Sequence, residues 1–206
     1  MILLHYKQNG KYVFLFFENN ISLKIRYETF IKFNLSVNLS VDEENLQKIK
    51  NDSDIYDIKD IVFDLLSRRL HSKDELRKKL LKKKFHLALI NDTLDYLEKN
   101  NFIDEKKFIE QYIKHLSNKK YSKIQIITKL REKGIANHNI TDMMDKYYSE
   151  NNDSHNAKIL ALKKLNSLQN ISTLSQKQKI FQFLYRKGFE IDLINKIIDD
   201  ILNINK

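Results

Sequence analysis

The sequence predicts a mainly α-helical protein, in which three tandem three-helix repeats follow a small strand-rich N-terminal extension. Three observations carry that reading. Proline is absent and glycine occurs three times in 206 residues, against 42% hydrophobic and 31% charged residues, so sharp reversals are scarce and long helices are the natural outcome. The segment KLREKGI, from Lys129, overlies FLYRKGF, from Phe183, and moved back it falls on KLLKKKF, from Lys79. The apolar positions follow: Leu76, Leu80, Ile90 and Leu94 in the first copy, Ile126, Leu130, Ile140 and Met144 in the second, Ile180, Leu184, Ile194 and Ile198 in the third. Finally, KYVFLFFENNISLKIR has β-favouring residues and no helical period.

Taken in order, that N-terminal stretch reads as two strands joined at Asn19-Asn20, with a third strand expected around Leu3 to Lys7 because two strands alone are marginal in water. YETFIKFN and VDEENLQKIK read as two short helices. This gives an extension over 1–53 and repeats over 54–103, 104–152 and 153–206.

In the first repeat Ile58, Ile61, Val62, Leu65 and Leu66 follow the amphipathic rhythm, Ser72 with Glu75 forms a capping box for the middle helix, and Ile90, Leu94 and Leu97 stripe the third. The second repeats the plan with Phe108, Ile109, Tyr112, Ile113 and Leu116, then Ser122 with Gln125. The third has Leu160, Ala161 and Leu165, a longer first loop around Asn166 to Thr173, and a capping signal at Ser175 and Gln178. Gly134 and Gly188 fall where middle helices end, at the left-handed C′ position that glycine reaches without steric cost; Lys84 stands there in the first copy.

The absence of cysteine excludes disulfides, thiolate nucleophiles and cysteine zinc sites. Ile2 to Leu4 is too short for a signal sequence and Val13 to Phe17 too short for a membrane span, so the cytoplasm follows by elimination. No phosphate-binding glycine loop or HExxH occurs, and the six histidines have no ligand spacing; neither an enzyme nor a cofactor is expected.

The net charge of +10 points to a polyanionic partner. The first 56 residues carry seven basic and seven acidic side chains, so all the excess lies in the repeats. From Arg68 to Lys84 nine residues are basic and two acidic, and the acids, Asp74 and Glu75, lie in a first helical turn where the dipole favours them. The candidate surface is Arg68, Arg69, Lys73, Arg77, Lys78, Lys82, Lys119, Lys120, Lys123 and Arg131. A strip of this kind binds phosphates with little sequence preference.

The blocks RRLHSKDELRKKLLKKKF, LDYLEKNNFIDEKKFIEQYI and KKYSKIQIITKLREKGI resemble the RecX family of bacterial recombination regulators, and the N-terminal stretch is similar to the strand-rich extension of some members. The resemblance implies an elongated, curved repeat array that binds the RecA recombinase and its filament on single-stranded DNA, and that restrains filament growth, ATPase activity and strand exchange. It also implies direct binding of single- or double-stranded DNA by some members, and a monomer. Two other readings stand beside it. A helix-turn-helix DNA-binding regulator is permitted by three-helix units, though third helices such as LALINDTLDYLEK are acidic or apolar; a helical adaptor that does not use the lysines is the other.

Overall fold

The computed structural model describes residues 1–18, 20–169 and 171–203, with three strands and ten helices among them. None of these helices is long and apolar enough to cross a membrane. The chain forms two compact units, Met1–Ile103 and Asp104–Lys206.

The first unit opens with β1 (Leu3–Asn9), β2 (Tyr12–Phe17) and β3 (Ser22–Arg26), an antiparallel sheet in that order, so the expected third strand is present. Gly10, at φ +58, turns β1 into β2; of the Asn19-Asn20 joint, Asn20 is left-handed and Asn19 lies outside the described residues. Alternation along β2 sends Val13, Leu15 and Phe17 to a core with Leu3 and Ile25, closed by Phe30 from α1 (Tyr27–Lys32) and by Leu35, Val41 and Ile49.

Residues 41–50 do not form a separate short helix. They begin α2 (Glu43–Arg68), a single helix of 26 residues capped by Asp42, whose side chain accepts from the Asn45 amide at 2.7 Å. The polar run Asn51-Asp52-Ser53-Asp54 reads as a break in sequence, but its side chains are used. Ser53 accepts the Arg26 amide at 2.9 Å, and Asp52 takes the Thr29 hydroxyl at 2.8 Å and the Lys32 ammonium. Ile49 thus serves the sheet core, while Ile58 and Val62 serve a second core with Leu76 and Leu80 of α3 (Lys73–Lys82) and Ile90, Leu94 and Leu97 of α4 (Leu87–Lys99).

The second unit holds α5 (Glu105–Asn118), α6 (Lys123–Glu132) and α7 (Asn137–Tyr147), then α8 (Glu150–Asn166), α9 (Thr173–Arg186) and α10 (Ile191–Asn203). Ile109, Ile113, Ile126, Leu130, Ile140 and Met144 are buried in the first trio, and Ala157, Ala161, Ile180, Leu184, Ile194 and Ile198 in the second. The register proposed for the three copies is therefore the register of burial.

The helix ends explain the repeat. Ser72 and Ser122 are wholly buried, and each hydroxyl accepts the amide three residues on, at 3.1 and 3.2 Å. The Ser122 box is only half formed, because the buried Gln125 Oε1 has no hydrogen-bond partner. The cap of α9 is Ser172, accepting from the Ser175 amide, not Ser175 itself, which lies inside the helix. At the other end, Gly134 and Gly188 take φ +74 and +75; the Gly134 and Ile135 amides donate to the Arg131 and Leu130 carbonyls, and the Gly188 and Phe189 amides to those of Tyr185 and Leu184. That is the Schellman arrangement, and the residue after the glycine folds onto the core. Asn34, Asn101, Lys84 and Lys120 take the same left-handed conformation after α1, α4, α3 and α5.

Two substitutions at equivalent joints have opposite expected signs. A Cβ on Gly188 would lie 2.9 Å from Ser122 Oγ, whose proton goes to the Lys187 carbonyl at 2.8 Å. Gly188→Ala adds left-handed strain to that collision and is expected to cost about 2–3 kcal/mol. Lys84→Gly relieves strain at φ +66 and is expected to gain about 0.5–1 kcal/mol, net of the glycine entropy cost. Urea denaturation midpoints check both.

His71 is buried, with Nδ1 3.2 Å from Glu75 Oε2. Burial, then Arg69 and Lys79, push its pKa below the ordinary value despite Glu75. The unfolded chain therefore takes up this proton first, so stability is expected to fall as pH drops through the unfolded value of 6.5. Thermal melts at about pH 7.5 and about pH 5.5 should separate wild type from His71→Gln, in which the loss on acidification is smaller.

Candidate functional site

The ten basic candidates fall into two sets. Six belong to the first unit. Arg68 ends α2 and grips Asp64 with two bonds from one nitrogen, at 2.9 and 3.1 Å. Arg69, the C-cap of α2, pairs with Glu75 at 3.1 Å. Lys73 opens α3 between Asp95 and Glu98 of α4, at 2.5 and 2.6 Å. Burial would lower its pKa, but the bonds to those two carboxylates raise it above the ordinary lysine value, so this ammonium is held charged as a clamp between helices.

Arg77 donates to Asn91 at 2.9 Å and shares Asp74 with Lys78, at 3.3 and 2.7 Å. The first-turn acid expected to favour the helix dipole thus also absorbs two of the candidate cations. Lys82 has no ion-pair partner among the described residues. It lines a cleft of about 490 Å³ with Lys79, Lys83, Lys11, Ile61, Leu65, Asp60 and Asp64.

Four candidates belong to the second unit. Lys119 is the C-cap of α5, and Lys120 is the left-handed residue after it. Lys123 opens α6, its amide donating to Asp153 Oδ1 at 3.0 Å, and the same carboxylate takes the Tyr148 hydroxyl at 2.7 Å. Burial first, then Asp153, push the Tyr148 hydroxyl far above the ordinary tyrosine range. Arg131 donates to Asn137 at 3.1 Å. Lys123 and Arg131 line one cleft of about 150 Å³, with Ile127, Asn137, Thr141 and Asp145. None of the four side-chain cations has a carboxylate partner among the described residues.

The arrangement therefore sorts the candidates by how free their charge is. Arg68, Arg69, Lys73, Arg77 and Lys78 are spent largely on internal pairs, whereas Lys82, Lys119, Lys120, Lys123 and Arg131 are available to an outside anion. Exposed pairs are weak, so a polyanion could recruit Lys78 or Arg68 at small cost; Lys73 is one-fifth exposed and doubly held. Lys79 and Lys83, which sequence reading counted in the basic block but left out of the ten candidates, join Lys82 in its cleft; the helical spacing of the three contained the signal. Sequence reading missed Lys11, whose partner Asp60 is remote in sequence. No group of three or more histidine, cysteine, aspartate or glutamate side chains able to hold a metal occurs among the described residues.

Comparison with known proteins places this geometry. Residues 59–97 match the model for "RecX, first three-helix domain" and residues 153–198 that for "RecX, third three-helix domain". "Regulatory protein RecX" of Clostridium botulinum (strain Alaska E43 / Type E3) is 28% identical over 200 residues, covering 96% of this chain and 93% of that protein. That of Pelodictyon phaeoclathratiforme is 37% identical over 131 residues, covering 61% of this chain and 77% of the relative. Among solved structures, "Crystal structure of regulatory protein RecX" superposes with a TM-score of 0.73 over 96% of this chain and 98% of that one, at 21% identity, and RecX from Lactobacillus salivarius with 0.64 over 71% and 96%, at 26%. With its three-helix units, its N-terminal sheet and its relatives all in agreement, the chain belongs to the RecX family of regulatory proteins.

Proposed function

We propose that this protein is a non-enzymatic regulator of homologous recombination and DNA repair that binds RecA and its filament on single-stranded DNA. It inhibits filament extension, ATPase activity and strand exchange. The observation that carries this reading is the similarity, over nearly the whole chain, to proteins named for regulation. It acts as a monomer in the cytoplasm, without a cofactor, and its parts are the extension 1–53 and the repeats 54–103, 104–152 and 153–206.

In this reading the contact is electrostatic. The uncommitted cations Lys82, Lys119, Lys120, Lys123 and Arg131 meet acidic RecA surface or DNA phosphate, and Arg68, Arg69, Arg77 and Lys78 exchange their internal carboxylates for the partner. Lys73 contributes by holding α3 to α4, since removing it leaves Asp95 and Glu98 facing each other. Charge of this kind governs encounter and salt dependence more than shape does.

The single-stranded-DNA-dependent ATPase of the cognate RecA, titrated with this protein, tests the proposal. Inhibition is expected at protein levels well below the RecA concentration, weakening as salt rises. The triple variant Lys82→Glu, Lys119→Glu, Arg131→Glu should raise the half-inhibitory concentration at least about tenfold, whereas Arg68→Ala, which removes an already paired charge, should change it about twofold or less. No effect of the wild-type protein at any ratio would defeat the proposal.

A further inference from the structure

The N-terminal sheet has a second face, packed only at its Tyr12 end, where Arg26 is buried against α2. Cross-strand pairing places His5, Phe16 and Ser22 in one row, Lys7, Phe14 and Lys24 in the next, and Asn9, Tyr12 and Arg26 in the third. The strands alternate, so these nine residues share the face opposite Val13, Leu15, Phe17 and Ile25. Tyr12, Phe14 and Phe16 take no part in the sheet's core and remain partly exposed, while His5, Lys7 and Lys24 are exposed. A central strand therefore carries three rings in line, flanked by cations.

Burial does not explain those rings, since an outward strand face in water needs no aromatic residue at every second position. The face already shows both contacts that a nucleic-acid strand would make. The His5 imidazole lies flat on Phe16, with centroids 4.4 Å apart and planes 12° apart, so a planar heterocycle fits on this strand. The Lys24 ammonium sits 3.6 Å above the Tyr12 ring, within reach of a phosphate beside a stacked base. Acidic groups confine the attractive region. Asp57 and Asp60 of α2 and Glu28 of α1 reach the Tyr12 end, where Arg26 pairs with all three and Lys11 with Asp60, and Glu18 lies beyond Phe17, accepting the Ile2 amide. The positive part is the row of Lys7, Phe14 and Lys24.

We infer that this sheet face is a stacking platform for single-stranded DNA, with bases on Phe14 and Phe16 and phosphates against Lys7 and Lys24. Rings serve any base face, so the site has little sequence preference. A duplex hides its base faces and would use the lysines alone. An apolar protein segment would match the rings and leave the lysines without partners. The choice of DNA over RNA rests on the proposed recombination role; the platform itself rests on the sheet.

The test omits RecA, so it stands apart from the proposed regulation. Anisotropy of a labelled oligo-dT is titrated with the full chain. Phe14→Ala should weaken binding about tenfold, or about 1.4 kcal/mol. Phe14→Tyr, which keeps a ring, should bind like wild type and shows whether any loss comes from the ring or the fold. The pair Lys7→Ala with Lys24→Ala should reduce the salt slope by about 1.4. Ultraviolet cross-links to oligo-dT should map to 12–16. Four results would overturn the inference: no oligo-dT binding by wild type, equal binding by Phe14→Ala, cross-links confined to α3 or α6, or tighter binding of duplex DNA or oligo-U.

Discussion

One residue in the left-handed region after a helix is the constraint on which the rest of this structure depends. With no proline available, α1, α3, α4, α5, α6 and α9 each stop where a left-handed residue reverses the chain and its amide closes on the last turn. The reversal decides which side chain comes next onto the core. After α6 it is Ile135, after α9 Phe189, and both are buried. At Gly188 a further demand appears, because the turn sits against the buried cap of α6 and Ser122 binds its carbonyl. A single hydroxyl thereby ends one helix and begins another.

The same joint shows how far the sequence could be read. Glycine advertises the left-handed position, and so Gly134 and Gly188 were legible, as was the alignment of their apolar neighbours. Lys84 and Lys120 adopt the conformation without advertising it, since a lysine pays the steric cost only when the surrounding turn demands it. The long helix α2 was illegible for a different reason. Its middle, from Asn51 to Asp54, has the composition of a turn, and only the fold supplies the partners that make it helical: the Arg26 amide, Thr29 and Lys32. The guanidinium of Arg26, 6% exposed, then ties β3 to Asp57 and Asp60 and so locks the sheet to that helix. Local propensity yielded to contacts that no short window contains.

Charge was legible in amount and only partly in availability. Counting found the basic block from Arg68 to Lys84 with its two acids, Asp74 and Glu75, but the other carboxylates that neutralise it lie outside the block. Asp95 and Glu98 are more than twenty residues from Lys73, and Asp64 precedes the block. Lysines outside such pairs keep long-range attraction for a polyanion, while those inside must first be released. The aromatic row on β2 was visible as a strand, yet its flanking by Lys7 and Lys24 required the register of three strands. Helical charge and sheet aromatics are thus two chemically different surfaces in one chain, one of cations alone and the other of rings flanked by cations.

The most direct measurement of the central claim is equilibrium binding of the full chain to RecA assembled on single-stranded DNA, compared with free RecA and with the same DNA bare. The account predicts tightest binding to the assembled filament, with an affinity that falls as salt rises. Binding to the filament no stronger than to bare DNA would contradict it.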